Sequence, residues 1–151
     1  ILGTYMRSDG KNGNALFAPA FAAENPLAMP REANTNHYLH MDGKTVFRFT
    51  ARAVPDAIDG VLHRAGMDIS QVDWTMQKQA NMRIMNMVIR RYGLPAEKVF
   101  SNLDRVGNTS SASVPICLDE MRRQGLLKDG QTAIFVGFGG GLTYGAVLIR
   151  L

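Results

Sequence analysis

The residues best suited to chemistry form one short run near the C-terminus, Gly137-Phe138-Gly139-Gly140-Gly141. Apolar runs at 132–136 and 144–149 flank it, so we expect the glycines at the corner of a hairpin between two buried strands. Backbone without β-carbons leaves its N–H groups accessible, and such groups can stabilise the oxygen of a reacting carbonyl. A tight turn without a catalytic role is the simpler interpretation of the glycines taken alone.

Two phosphate-binding motifs are excluded by their context. A dinucleotide-binding loop needs a helix after its glycines, whereas this sequence predicts a strand there. Gly43-Lys44-Thr45 resembles the end of a phosphate-cradling loop, but Tyr38 stands where that motif needs its first glycine. Neither glycine segment therefore predicts a nucleotide site of these kinds.

Amino-acid composition and net charge restrict which kinds of protein and of binding partner fit this chain. The 151 residues are 46% hydrophobic and 20% charged, which is typical of a soluble globular domain, and no apolar run approaches the length of a bilayer-spanning helix. The single cysteine excludes an internal disulfide and fits a cytoplasmic protein. A net charge of +4 favours an acidic partner. Because the aromatic residues are not interleaved with the basic ones, we expect no nucleic-acid partner, and no membrane partner either.

The elements that must position the glycine run follow from hydrophobic periodicity. Strands are predicted at 1–8, 74–76, 98–100, 132–136 and 144–149, and helices at 43–65, 81–92 and 110–124. The segment 15–40 reads as a loop with one short strand near Tyr38–His40, and Pro55 is a point at which the first helix can bend. Gly66 and Gly93 suit the ends of two helices. The alternation predicts an α/β fold with a mixed sheet.

Three segments together resemble one family, the β-ketoacyl-acyl carrier protein synthases III. They are residues 79–84, 103–115 and 137–145, and residues 41–47 resemble an earlier segment of the same enzymes. Gly107-Asn108-Thr109-Ser110 followed by Ser113-Val114-Pro115 is the most specific part. The resemblance spans essentially the whole chain, so we expect residues 1–151 to form the C-terminal domain of such an enzyme. It implies a thiolase-like half, with a mixed five-stranded sheet covered by helices.

The resemblance also implies an activity. Enzymes of this family transfer an acyl group from coenzyme A to a cysteine and condense it with a malonyl group on acyl carrier protein, with loss of carbon dioxide, in fatty acid or polyketide biosynthesis. That cysteine belongs to the N-terminal half, and the strand-like start at Ile1 suggests a chain cut from something longer. We therefore expect this chain alone to be inactive. The expected partners are the N-terminal half, acyl carrier protein, acyl-CoA as substrate rather than bound cofactor, and a second copy in a homodimer.

Catalytic positions follow residue by residue. Asn108 matches the family asparagine that, with a histidine, donates hydrogen bonds to the malonyl thioester oxygen, and Gly140 matches a backbone oxyanion donor. Lys78 stands where the family has that histidine. A lysine would also attract the malonyl carboxylate and is harder to aim than an imidazole, so we expect impaired condensation or another acyl transfer. A non-catalytic thiolase-like partner subunit is the alternative function. If Lys78 has no catalytic role, its side chain is expected to extend to solvent.

The remaining assignments concern substrate, carrier and metal. Residues that match the family's substrate-binding positions are Met41, Phe47, Ala80, Asn81 and Phe138, although core packing also explains the apolar ones. Those that match its carrier-docking positions are Arg48, Arg83, Arg90 and Arg91. Cys117 lies among apolar residues of a helix and is expected to be structural. No acidic or cysteine residues gather around His37, His40 or His63, so we expect no metal.

Overall fold

The structure, a computed structural model, describes residues 1–18 and 38–151. Its strands are β1 (Gly3–Ser8), β2 (Leu16–Phe17), β3 (His40–Met41), β4 (Trp74–Gln77), β5 (Thr132–Gly139) and β6 (Thr143–Arg150). Its α-helices are α1 (Gly43–Ala65), α2 (Met82–Tyr92), α3 (Leu103–Val106) and α4 (Ser113–Arg123). The predicted α/β class is confirmed.

One mixed sheet, in the order β1-β6-β5-β4, organises the fold. The β5–β6 hairpin pairs antiparallel from Thr132 opposite Arg150 to Gly139 opposite Thr143, β1 adds antiparallel to β6, and β4 adds parallel to β5. β2 and β3 form a separate antiparallel pair. The parallel β4–β5 pair matters most for function, because it brings the end of β4 beside the glycine run at the end of β5.

The predicted fifth strand is reduced to a single bridge. Only Val99 pairs with Thr75, in a parallel bridge outside the named strands. A short 3-10 turn over Ala96–Lys98 leads directly into it, and the carbonyl of Phe100 accepts a bond from the Gln79 side chain instead of from the ladder. Local turn geometry and a side-chain donor therefore replace the strand that the sequence predicts at 98–100.

Helices cover the two faces of the sheet unequally. α1 and α2 pack on one face, in a cluster that includes Val54, Ile58 and Val88 with Ile134 and Leu148. α4 packs on the other face through Cys117 and Met121, against Met76 and Ala133. Successive residues of a strand point to opposite faces, which explains why Ala133 and Ile134 belong to different clusters. The β1–β6 side of the second face has no helix over it in the described part of the chain.

Capping residues set the ends of α1 and α2 where the sequence predicts them. Asp42 accepts bonds from the Lys44 and Thr45 N–H groups, both at 3.1 Å, and α1 continues unbroken through Pro55. Gly66 and Gly93 end the two helices in the left-handed region, at φ 63° and 60°. Only the helix predicted over 110–124 differs, because it begins as a 3-10 turn over Ser110–Ala112 before α4.

Candidate active site at the β4–β5 edge

A cavity of about 770 Å³ opens where the ends of β4 and β5 meet the start of α4. Its walls are largely apolar and include Met6, Leu16, Val114, Phe135 and Val147. Its polar groups come from Lys78, Asn108, Ser110, Ser111, Ser113 and the glycine run from Gly137 to Gly140. The structure thus brings together the three residues that the sequence predicts to be catalytic, Lys78, Asn108 and Gly140.

Lys78 follows the last residue of β4 and is held there by its backbone. Its N–H donates to the Val136 carbonyl at 2.8 Å, which extends the parallel pairing by one bond. The half-buried side chain reaches into the cavity, where Nζ donates to Asn108 Oδ1 at 3.4 Å and lies 5.3 Å from the Phe138 ring centroid. Burial lowers the pKa of the Lys78 ammonium from its ordinary value, because desolvation penalises the charged form.

Asn108 lines the cavity and is held through its side-chain oxygen. Its Oδ1 accepts from both Lys78 Nζ and the Ser110 N–H, the latter at 3.2 Å. Ser110 has φ 56°, a left-handed conformation that is uncommon outside glycine and that recurs at functional sites. Within residues 1–18 and 38–151, no acceptor lies within hydrogen-bond distance of Asn108 Nδ2. The amide is therefore oriented by its oxygen and can donate from its nitrogen to a ligand.

A buried network, which sequence reasoning missed, ties the β4 end to the α4 start. The Gln79 N–H donates to Ser113 Oγ at 3.1 Å, and Ser113 Oγ donates to the Ser110 carbonyl at 2.8 Å. The Gln79 side chain donates to the Gln77 carbonyl at 2.8 Å and accepts from Ser101 Oγ at 2.9 Å. These bonds link the segment that carries Lys78 to the segment that carries Asn108. The available signal was Gln79, a glutamine just after the buried strand predicted at 74–76, because a buried amide side chain needs hydrogen-bond partners.

Within the glycine run, only two of the residues are required by sterics. A β-carbon on Gly140 would lie 3.2 Å from the Leu16 carbonyl oxygen, and Gly141 has φ 121°, which disfavours any L side chain. At Gly137 and Gly139 a β-carbon would meet nothing within 4 Å. The close approach of the Leu16 backbone thus explains Gly140 and the turn conformation explains Gly141, whereas packing does not explain Gly137 and Gly139.

The predicted substrate-binding residues divide into two groups. Met41 and Phe138 line the cavity. Phe47 lies on α1 with 40% of its surface exposed, and Asn81 caps α2 by accepting from the Arg83 N–H at 2.8 Å. Ala80 lies between the cavity and this cap, donating its N–H to the Lys78 carbonyl at 2.8 Å. Phe47, Ala80 and Asn81 stand outside the cavity lining.

The four predicted carrier-docking arginines lie on neighbouring helices of one face. Arg48 is on α1, and Arg83, Arg90 and Arg91 are on α2, all of them exposed. Arg91 is 3.4 Å from a carboxylate oxygen of Asp59. For Arg48, Arg83 and Arg90, the described residues supply no carboxylate within ion-pair distance. Within the described part of the chain, Arg83 and Arg90 therefore have no ion-pair partner, and Arg48 acts on the Asp42 carboxylate only over a longer range.

Cys117 is fully buried beside Met76 and Met121, and its thiol donates to Asn102 Oδ1 at 3.2 Å. Desolvation, with a smaller effect of the nearby Glu120 carboxylate, raises the pKa of this thiol to about 11. A buried thiol with a raised pKa is a poor nucleophile, in agreement with the structural role predicted for it. Arg105 pairs with Glu120, which also accepts from Asn102 at 2.9 Å.

The described residues contain no group of three or more histidine, cysteine or acidic residues that could hold a metal ion, and His37 lies outside them. Among them, no helix is both long enough and apolar enough to cross a bilayer.

Comparisons with known proteins agree on one family. The family described as "3-Oxoacyl-[acyl-carrier-protein (ACP)] synthase III C terminal" matches residues 62–151. A Microcystis aeruginosa protein named beta-ketoacyl-[acyl-carrier-protein] synthase III is 42% identical over 152 residues, covering 99% of this chain and 46% of that relative. A Clostridium perfringens protein of the same name is 40% identical over 146 residues, covering 97% and 45%.

Solved structures lead to the same conclusion. The crystal structure of the 3-oxoacyl-[acyl-carrier-protein] synthase III from Aquifex aeolicus matches all of this chain and 44% of its own, with a TM-score of 0.86 and 34% identity. The thiolase-like fold class predicted from the sequence is confirmed, and the chain spans less than half the length of the curated relatives it matches. The chain therefore belongs to the 3-oxoacyl-[acyl-carrier-protein] synthase III family and corresponds to its C-terminal half.

Proposed function

We propose that this chain supplies the part of a 3-oxoacyl-[acyl-carrier-protein] synthase III that binds and activates the malonyl thioester. In this proposal the full enzyme condenses an acyl-CoA starter with malonyl-acyl carrier protein in fatty acid or polyketide biosynthesis. The nucleophilic cysteine comes from an N-terminal half that this chain does not include. Alone, the chain binds thioesters but does not complete the reaction.

One observation carries the proposal: Lys78, Asn108 and the glycine bend line the same cavity. Loss of carbon dioxide from a malonyl thioester leaves negative charge on the thioester oxygen. Fixed donors aimed at that oxygen stabilise the transition state. Asn108 Nδ2 is such a donor, and the Lys78 ammonium, 3.4 Å from Asn108 Oδ1, is a second. Apolar walls strengthen both interactions by excluding water.

The direct test uses protein that contains both halves. Substitution Asn108→Ala should lower malonyl decarboxylation by about 100-fold, the usual effect of removing one oxyanion donor. Substitution Lys78→His should raise it by about tenfold or more, because an imidazole does not hold the malonyl carboxylate in its ground state. A histidine form that is no faster would identify Lys78 as an adapted catalytic group. An unaffected Asn108→Ala form would overturn the proposal.

A second function, a partner subunit or a non-decarboxylating acyltransferase, is favoured by Lys78 alone. An ammonium in this position binds a carboxylate in the ground state as well as in the transition state, which gains no rate. The gene sequence upstream of Ile1 separates the two functions. A cysteine in a matching N-terminal half supports the condensing enzyme, whereas its absence supports the partner subunit.

The proposed function also includes binding of acyl carrier protein and assembly with other subunits. The exposed arginines of α1 and α2 form a basic surface suited to an acidic carrier protein. The uncovered sheet face supports packing against an N-terminal half, and the full enzyme is proposed to be a cytoplasmic homodimer. Acyl-CoA acts as a substrate and no cofactor is permanently bound.

A further inference from the structure

Among the described residues that line the cavity, Lys78 is the single titratable side chain. β5 and β6 contribute apolar residues and glycines, and β1, β2 and the β3 region contribute apolar ones, including Met6, Phe17 and Leu39. The approach to α4 contributes serines and Asn108, which are neutral. No described residue places a carboxylate within ion-pair distance of Nζ. A half-buried cation without a counter-charge among the described residues is unusual, because charges removed from water are normally paired.

Two effects compete at this amine. The Phe138 ring, 5.3 Å from Nζ, favours the ammonium, whereas desolvation favours the neutral amine. Burial lowers the pKa of the Lys78 ammonium, so the neutral amine forms at a lower pH than it would on an exposed lysine. A neutral amine has a lone pair and is a nucleophile, as in enzymes that activate lysine by desolvation.

We propose that the Lys78 amine is an acyl acceptor, which takes the acyl group of a thioester bound in this cavity and becomes an amide. This inference rests on the proposed function in one respect, that the cavity binds acyl thioesters. The inference differs from the proposed function in its reaction, because the acyl group ends on this chain and no carbon dioxide is lost.

The step balances without a further reactant. The Lys78 ammonium first loses a proton to water. Its nitrogen then attacks the thioester carbonyl carbon, a C–N bond forms, and the carbonyl oxygen becomes an oxyanion. As the carbonyl re-forms, the C–S bond breaks, the thiolate leaves, and the second nitrogen proton neutralises it to a thiol. The products are an acyl-lysine and a free thiol, such as coenzyme A.

The geometry suits that step. A carbonyl oxygen that accepts from Asn108 Nδ2 lies beside the same amide whose Oδ1 is 3.4 Å from Nζ. The carbonyl carbon is therefore held within reach of the amine, and positioning of this kind accelerates acyl transfer strongly. The Asn108 amide also stabilises the oxyanion, and the apolar walls accept the acyl chain.

The test measures acylation at each lysine. The chain is incubated with acetyl-CoA near pH 8, and acetylated peptides are quantified by mass spectrometry over time. Lys44 and Lys128, which are exposed, serve as internal controls. We expect Lys78 to react at least about tenfold faster than either control, and this preference to disappear in urea, where positioning is lost. Asn108→Ala, which keeps the amine, should remove most of the preference.

Binding distinguishes the two proposals. Calorimetry with acetyl-CoA reports whether the cavity binds a thioester, and Lys78→Arg reports whether the amine is needed for that binding. Binding without preferential acylation of Lys78 would overturn the acyl-acceptor inference and leave the proposed function standing. No binding by the folded chain would overturn both. Acylation that is equal at Lys78, Lys44 and Lys128 would likewise overturn the inference.

Discussion

At the scale of single residues, the cavity chemistry depends on a pair of neighbours. Lys78 and Asn108 are 30 positions apart in the chain, yet Nζ and Oδ1 are 3.4 Å apart. The asparagine oxygen accepts from the lysine and from the Ser110 N–H, which orients the side-chain amide. One polar contact therefore fixes the amide beside a half-buried cation.

The lowered pKa of Lys78 predicts a pH-dependent stability. Folding disfavours the Lys78 ammonium, so the folded state binds fewer protons than the unfolded state, in which the pKa is near 10.5. The desolvation cost is present at neutral pH and is relieved as pH rises from the lowered pKa towards 10.5. Lys78→Met should therefore be more stable than the wild type at pH 7, with the difference narrowing towards pH 10. Urea unfolding across this pH range measures it, and a constant difference would contradict the assignment.

At the scale of secondary structure elements, close packing between β1 and α1 depends on one glycine. Gly60 lies inside α1, where alanine normally favours the helix by about 1 kcal/mol. Here a β-carbon would overlap the ring of Tyr5, whose hydroxyl donates to Asp56 at 2.9 Å. The helix thus accepts a weak helix former so that the strand can approach it.

Gly60→Ala should therefore lower the free energy of unfolding by about 1–3 kcal/mol, the usual cost of overpacking, despite the better helix propensity. Gly43→Ala is the matched control in the same helix, because a β-carbon there would meet nothing within 4 Å. Thermal or urea unfolding of both variants compares them. Equal stability of the Gly60→Ala form and the wild type would show that Tyr5 moves aside freely.

The basic surface formed by the exposed arginines of α1 and α2 is also a property of secondary structure elements, because it needs the two helices to lie side by side. Arg83→Glu should slow association with acyl carrier protein at least about tenfold at low ionic strength, with the difference shrinking as salt is added. Lys128→Glu makes the same charge change on an exposed turn away from α1 and α2 and should have little effect. Stopped-flow association rates at two salt concentrations test this. A rate unchanged at low salt would remove Arg83 from the docking surface.

At the scale of the whole molecule, the sheet is covered on one face and open on part of the other. Met6 is 80% exposed, Leu39 67% and Met41 62%, and all three border the cavity. Contiguous apolar exposure of this kind drives association in water. The cavity is therefore also the region through which this chain is expected to meet another protein surface.

We expect the chain to self-associate at micromolar concentration, as a dimer or as larger species. Met6→Asp places a charge in the open face and should shift the population towards monomer, whereas Met82→Asp, on α2 across the sheet, should not. Light scattering or sedimentation measures the change. A wild-type monomer at micromolar concentration would contradict the expectation.

Hydrophobic periodicity and the residues that end helices were enough to predict most helices and strands. α1 begins after Asp42 and ends at Gly66 as predicted, because capping and a left-handed glycine are local properties of a few residues. The same holds for α2, between Asn81 and Gly93. The strand predicted at 98–100 was wrong in extent, because pairing depends on partners that are distant in sequence.

The sequence by itself determined which residue types are available: a glycine run, an asparagine before a small-residue helix start, and a lysine after a buried strand. Only the tertiary structure decided that they share a cavity, to which the described residues contribute no carboxylate. It also decided that Gln79 and Ser113 hold the two segments together. The physical reason is that the parallel β4–β5 pairing and the packing of α4 join segments far apart in the chain. Desolvation and hydrogen bonding depend on that proximity, which no local pattern records.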